Sequence, residues 1–101
     1  MSLEVNLIKH GSKAELQLIG DIDATNAPDV DKLLIDVIGS YDSLVLDMGE
    51  LEYISSAGLR AFKHAYIELR KKGGTLTAKN VGKMVMEVLE VTGFTRLFKF
   101  V

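Results

Sequence analysis

The chain has 101 residues, no cysteine, a net charge of −2, and 48% hydrophobic against 26% charged side chains. That length suits one domain, 1–101, able to bury its own core, and the missing thiols exclude disulfides and thiolate metal sites. No apolar run approaches the ~20 residues of a membrane helix, no basic-then-apolar start marks a signal peptide, and the balance of charge lacks the basic excess of nucleic-acid binders, so no membrane insertion, no direct nucleic acid contact and a cytoplasmic location are expected.

In chain order, Val5, Leu7 and Ile8 form a short apolar segment that stops at His10-Gly11-Ser12. Ala14, Leu16 and Leu18 then alternate with Glu15 and Gln17. Period-2 alternation flanking a Gly-Ser turn predicts a β-hairpin, with strands at roughly 3–9 and 13–20. Gly20-Asp21-Ile22-Asp23 ends the second strand. Thr25 or Asn26 is placed to cap a helix whose first turn holds Pro28, and Gly39 is its expected stop. Inside it, Ala27, Val30, Leu33, Leu34, Val37 and Ile38 recur at helical spacing.

Ser43–Met48 reads as a short buried strand that feeds a loop. A second helix opens at Ser55-Ser56-Ala57-Gly58, with Leu59, Phe62, Tyr66 and Leu69 inward and Arg60, Lys63 and Arg70 outward. Gly73-Gly74 ends it. Leu76–Ala78 is a strand, Asn80 is the predicted cap of a third helix, Gly93 its stop, and Phe98, Phe100 and Val101 a last strand. The order β-β-α-β-α-β-α-β predicts an α/β fold: a hairpin followed by three β-α-β crossovers, giving a mixed sheet with helices packed on it.

Charge is unevenly spread. Residues 21–52 carry nine acidic side chains and one base, Lys32, whereas residues 53–101 carry nine bases and three acids. Most of the bases fit a solvated helix face.

The stretch Leu46-Asp47 through Tyr53-Ile54-Ser55-Ser56-Ala57-Gly58-Leu59-Arg60 is the most distinctive. Two serines stand at a helix N-terminus, where free N–H groups and the positive dipole end meet. One reading makes Ser55 a cap and Ser56 a first-turn filler. The other makes this a place where a phosphate is electrostatically favoured.

The same residues carry a resemblance. Gly20-Asp21-Ile22-Asp23, the Leu46-Asp47 to Leu59 stretch, and Val88-Leu89-Glu90-Val91-Thr92-Gly93-Phe94 together resemble the STAS domain, and within it the free-standing bacterial anti-sigma factor antagonists. The resemblance implies a STAS-like (SpoIIAA-like) fold and a non-catalytic, protein-binding regulator of transcription. It implies a phosphoprotein in which the serine two residues before the glycine, Ser56, accepts phosphate from an anti-sigma factor that is also a serine kinase. The unphosphorylated form sequesters that anti-sigma factor, and a PP2C-type phosphatase restores it. Ser55 stands where phosphorylated relatives usually carry aspartate, which makes it the second choice of acceptor. The implied partner-binding face comprises Asp21, Asp23, Thr25, Asn26, Tyr53, Ser55, Ser56, Gly58, Arg60 and Lys63, with His64 beside them.

Two other readings compete. A STAS subunit of a membrane lipid-transport complex would bind another subunit without phosphorylation. A receiver-like domain would use Asp47 as an aspartyl phosphoacceptor, Asp21 and Asp23 as Mg²⁺ ligands and Lys79 as the basic partner, all at strand C-terminal ends. The hairpin start argues against the receiver, and turn capping accounts for the aspartates. His10 and His64 lack a nearby second ligand or nucleophile. No glycine-rich phosphate loop, Ser-His-Asp set or metal-ligand spacing is present, so no catalytic residues, cofactor or metal are expected.

Overall fold

Gly11 adopts φ +63° while Ser12 does not share a positive φ, so the two-residue connection has glycine at the first central position of a type II′ turn. That turn folds β1 (Leu3–His10) onto β2 (Lys13–Ile22) in one continuous antiparallel register, from His10 opposite Lys13 to Leu3 opposite Gly20. The computed structural model describes residues 2–101. After the hairpin come α1 (Ala27–Ser40), β3 (Ser43–Ile54), α2 (Ser56–Lys71), β4 (Leu76–Lys79), α3 (Lys83–Val91), a 3₁₀ turn at Phe94–Leu97 and β5 (Lys99–Phe100).

The sheet order is β1-β2-β3-β4-β5, with β2 to β5 parallel. This is the mixed sheet expected from the hairpin-first order, with β1 at an edge. Burial alternates as one set across it. Ala14, Leu16, Leu18, Leu44, Leu46, Met48, Leu76 and Ala78 are buried, while Glu15, Gln17, Val45, Asp47, Thr77 and Lys79 between them are half-exposed. The helices therefore cover one face of the sheet. Phe62 of α2 is fully buried there and meets Phe98 edge-on, with ring centroids 5.8 Å apart.

Three boundaries differ from the sequence reading. The first helix runs through Gly39 to Ser40, and the extended Tyr41 closes it. Asn80 does not cap the third helix. It takes φ +57°, a conformation asparagine tolerates, to turn the chain out of β4, and Gly82 is the N-cap. The third strand does not stop at Met48. It continues to Ile54, and the region read as a loop is strand. Two register shifts explain the difference: Gln17 and Ile19 face Asp47 and Glu50, and Gly20 and Asp21 face Leu51 and Tyr53. Each shift places one extra residue in β3, as a bulge does. Burial along its second half then falls on Met48, Leu51 and Ile54, every third residue.

Candidate functional site

Strands β2 and β3 are parallel neighbours that end together. Asp21 lies opposite Tyr53 and Ile22 opposite Ile54, and the Ser55 N–H donates to the Ile22 carbonyl at 2.8 Å. The chain leaving β2 and the chain entering α2 thus share one end of the sheet, the usual place for a site in such folds.

The segment after β2 is locked by its own side chains. Asp23 Oδ1 accepts the Thr25 and Asn26 N–H groups, both at 2.9 Å. Asn26 answers: its Oδ1 accepts the Asp23 N–H at 3.0 Å and its Nδ2 donates to the Asp21 carbonyl at 2.9 Å. Asn26 occupies the N-cap position of α1 but makes no side-chain capping bond to that helix, because both its polar atoms are committed to the turn behind it. Thr25 is left exposed at the tip.

The two serines are in different environments. Ser55 is the N-cap of α2, half-buried, and its Oγ accepts the Gly58 N–H at 3.1 Å. Ser56 is the first helical residue and is exposed. Gly58 is buried rather than part of a surface. A Cβ there would come within 2.7 Å of Ile22 Cγ2 and 2.9 Å of Ile54 Cγ1. The glycine lets the first turn of α2 rest directly on the last residues of both strands.

From Ser56 an exposed stripe runs along α2 at helical spacing: Arg60, Lys63 and Ile67 follow it at i+4, i+7 and i+11. Tyr53, 47% exposed, flanks its start. Glu50 and Glu52 are exposed nearby on β3, so an acidic strand end meets a basic helix face. Arg60 and His64 also line a shallow groove of about 390 Å³ between α1 and α2, with Ala27, Asp31, Ala57 and Ala61. His64 Nδ1 lies 2.9 Å from Asp31 Oδ1 across it. This pair was missed from sequence because its members are 33 residues apart. Ile67 was missed as well, although the spacing from Ser56 points to it.

The aspartates of the receiver reading do not converge. Asp47 is in the middle of β3, opposite Gln17, and so lies four β2 residues, about 13 Å, along the sheet from Asp21. Its Oδ1 is engaged by the Gly49 N–H at 3.0 Å and by Asn80 Nδ2 at 3.3 Å. Lys79 is directed to Glu15, 3.4 Å away, rather than to an aspartate. Among the described residues no helix is long and apolar enough to cross a membrane.

Known proteins share this fold. Residues 4–101 match the STAS domain family model. The anti-sigma-B factor antagonist of Bacillus subtilis is 23% identical over 93 residues, which cover 92% of this chain and 85% of that protein. A candidate anti-sigma factor antagonist of Bordetella bronchiseptica, BtrV, is 37% identical over 82 residues, covering 80% of this chain and 71% of that one. The crystal structure of an anti-sigma factor antagonist from Mycobacterium paratuberculosis superposes with a TM-score of 0.81 at 24% identity, over 98% of this chain and 85% of that one. Bacillus SpoIIAA in its phosphorylated form superposes with a TM-score of 0.76 at 14% identity, over 99% and 91% of the two chains. With the hairpin-first sheet, the paired strand ends and a family match across nearly its whole length, the chain belongs to the STAS domain family.

Proposed function

We propose that this protein is an anti-sigma factor antagonist whose docking face is switched off by phosphate on Ser56. The observation that carries the reading is the division of labour between the serines. Ser55 Oγ is held by the Gly58 N–H, whereas Ser56 is exposed on the first turn of the helix. A kinase needs a free hydroxyl, and Ser56 offers it. The names of the relatives support the role, and the solved SpoIIAA fold exists in a phosphorylated form.

The docking face is the locked Asp21–Asn26 turn, Tyr53, and the Ser56–Arg60–Lys63 stripe. The partner is an anti-sigma factor that is itself a serine kinase. Its bound ATP supplies the phosphate: the Ser56 oxygen attacks the γ-phosphorus, ADP leaves, and the hydroxyl proton passes to a base of the kinase. A PP2C-type phosphatase reverses the modification by hydrolysis. The added charge of about −1.5 to −2 lies at the positive end of the α2 dipole, so the domain tolerates it.

The direct test is incubation with an anti-sigma factor kinase of the same organism and ATP, followed by mass spectrometry of the peptide containing both serines. One phosphate on Ser56, abolished in Ser56→Ala and retained in Ser55→Ala, supports the reading. Phosphate retained at full stoichiometry in Ser56→Ala sinks it.

A further inference from the structure

Arg60 lines the groove between α1 and α2, and it has no fixed partner there. No carboxylate lies within ion-pair distance of it among the described residues. The groove's own acid, Asp31, is already engaged by His64 at 2.9 Å. Ser56 and Arg60 are both exposed and stand four residues apart on α2. That spacing puts them on one face of the helix, about 6 Å apart along its axis. Helical side chains tilt toward the N-terminus, so the long side chain of Arg60 leans back over the turn that carries Ser56. The order also suits a pair, because an anion four residues before a cation is the more favourable arrangement.

Other groups near Ser56 are less well placed to hold a phosphate on it. The Gly58 N–H, the usual donor to a helix cap, is taken by Ser55 Oγ at 3.1 Å. Lys63 is exposed but seven residues on, about 10 Å along the axis. Glu50 and Glu52, exposed on the strand end, repel a phosphate. Asp31 is the one acid in the groove that competes for Arg60. It offers a single charge already bonded to His64, against about −1.5 to −2 on the phosphate.

We propose that phosphate on Ser56 is clamped by Arg60 of the same helix, as a guanidinium–phosphate pair, and that the clamp withdraws Arg60 from the groove between α1 and α2. Phosphorylation then changes the docking face twice. It adds an anion at Ser56, and it takes away the guanidinium that the groove offers in the unmodified form. A partner carboxylate that meets Arg60 before phosphorylation finds it already paired afterwards. The clamp rests on phosphate standing at Ser56, as proposed above, so its test installs the phosphate without a kinase.

Phosphoserine is incorporated at position 56 during translation, in the otherwise unchanged chain and in the Arg60→Gln and Lys63→Gln variants. In ³¹P NMR titrations the second ionisation of the phosphate should lie about 0.5 pH unit or more lower with Arg60 present than in Arg60→Gln, because a neighbouring cation favours the dianion. Lys63→Gln should move it by less than half as much. Phenylglyoxal modifies free guanidinium groups. It should label Arg60 at least about fivefold more slowly in the phosphorylated protein than in the unmodified one, with exposed Arg96 as the unchanged internal standard in peptide mass spectrometry. The same ionisation with and without Arg60, an effect of Lys63→Gln as large as that of Arg60→Gln, or equal labelling of Arg60 in the two forms would overturn the clamp. None of these results depends on which serine a kinase selects, so a failed clamp leaves the Ser56 assignment to the kinase experiment alone.

Discussion

Ser55 Oγ accepts the Gly58 N–H at 3.1 Å while the Ser55 N–H is bonded to the Ile22 carbonyl at 2.8 Å, so one residue ties the start of α2 to the end of β2. Loss of such a cap typically costs about 1 kcal/mol. Ser55→Ala should therefore lower the melting temperature by roughly 4–8 °C for a domain of this size. Differential scanning calorimetry measures it. An unchanged melting temperature would mean that the cap contributes nothing. Labelling of Ser56 by the kinase should persist in this variant.

Gly58 should be less forgiving. An added methyl meets Ile22 Cγ2 at 2.7 Å and Ile54 Cγ1 at 2.9 Å, inside any normal contact distance. Both isoleucines are buried, so neither swings aside freely. Overpacking of this kind costs about 1–3 kcal/mol and shifts the backbone. Gly58→Ala should melt lower in urea titration and move the amide shifts of Ile22, Ile54 and Ser56. An increase in stability, as alanine gives at an open helical glycine, would contradict the close approach.

Asn26 should matter to shape more than to contact. Its side chain makes two bonds that fold the Asp21–Asn26 segment back on itself. Asn26→Ala leaves the Asp23 N–H and the Asp21 carbonyl without those partners, at an expected cost of about 1–3 kcal/mol. Thr25→Ala removes no such bond among the described residues and should leave stability within about 0.5 kcal/mol. Comparing the two by chemical denaturation separates a structural turn from a merely exposed one.

The order of elements and the strand-to-helix joint at Ser55 were legible in the sequence because both rest on local signals. Alternation marked β2, helical spacing marked α1 and α2, and Ser-Ser-Ala-Gly after an apolar run marked the strand-to-helix joint. The second half of β3 was not legible. Its two bulges move burial to Met48, Leu51 and Ile54, a spacing of three that imitates an irregular segment and hides the strand's period of two. The committed side chain of Asn26 was also hidden, since a residue at a helix start offers the same atoms whether it caps the helix or the turn behind it. The His64–Asp31 pair exists only because α1 and α2 pack side by side, which no local pattern encodes.

The last expectation concerns the switch itself. A negative group at Ser56 sits on the first turn of a sixteen-residue helix, where the dipole favours it by about 0.3–1 kcal/mol. Ser56→Asp should therefore fold normally and melt at or slightly above the wild-type temperature. Toward a partner the same charge has the opposite effect. It joins an exposed acidic strand end that already holds Glu50 and Glu52. An anti-sigma surface that packs on a neutral hydroxyl must then desolvate an anion or repel it, at a cost on the order of several kcal/mol. Each 1.4 kcal/mol is a factor of about ten in affinity, so binding should weaken by at least two orders of magnitude. Ser56→Ala keeps the face neutral and should bind within about tenfold of the wild type. Isothermal titration against the anti-sigma factor, paired with melting curves of each variant, separates the two effects. Ser56→Asp binding as tightly as Ser56→Ala would place the switch elsewhere on the surface. Ser56→Asp failing to fold would show that the phosphate acts by unfolding the domain and not by blocking its face.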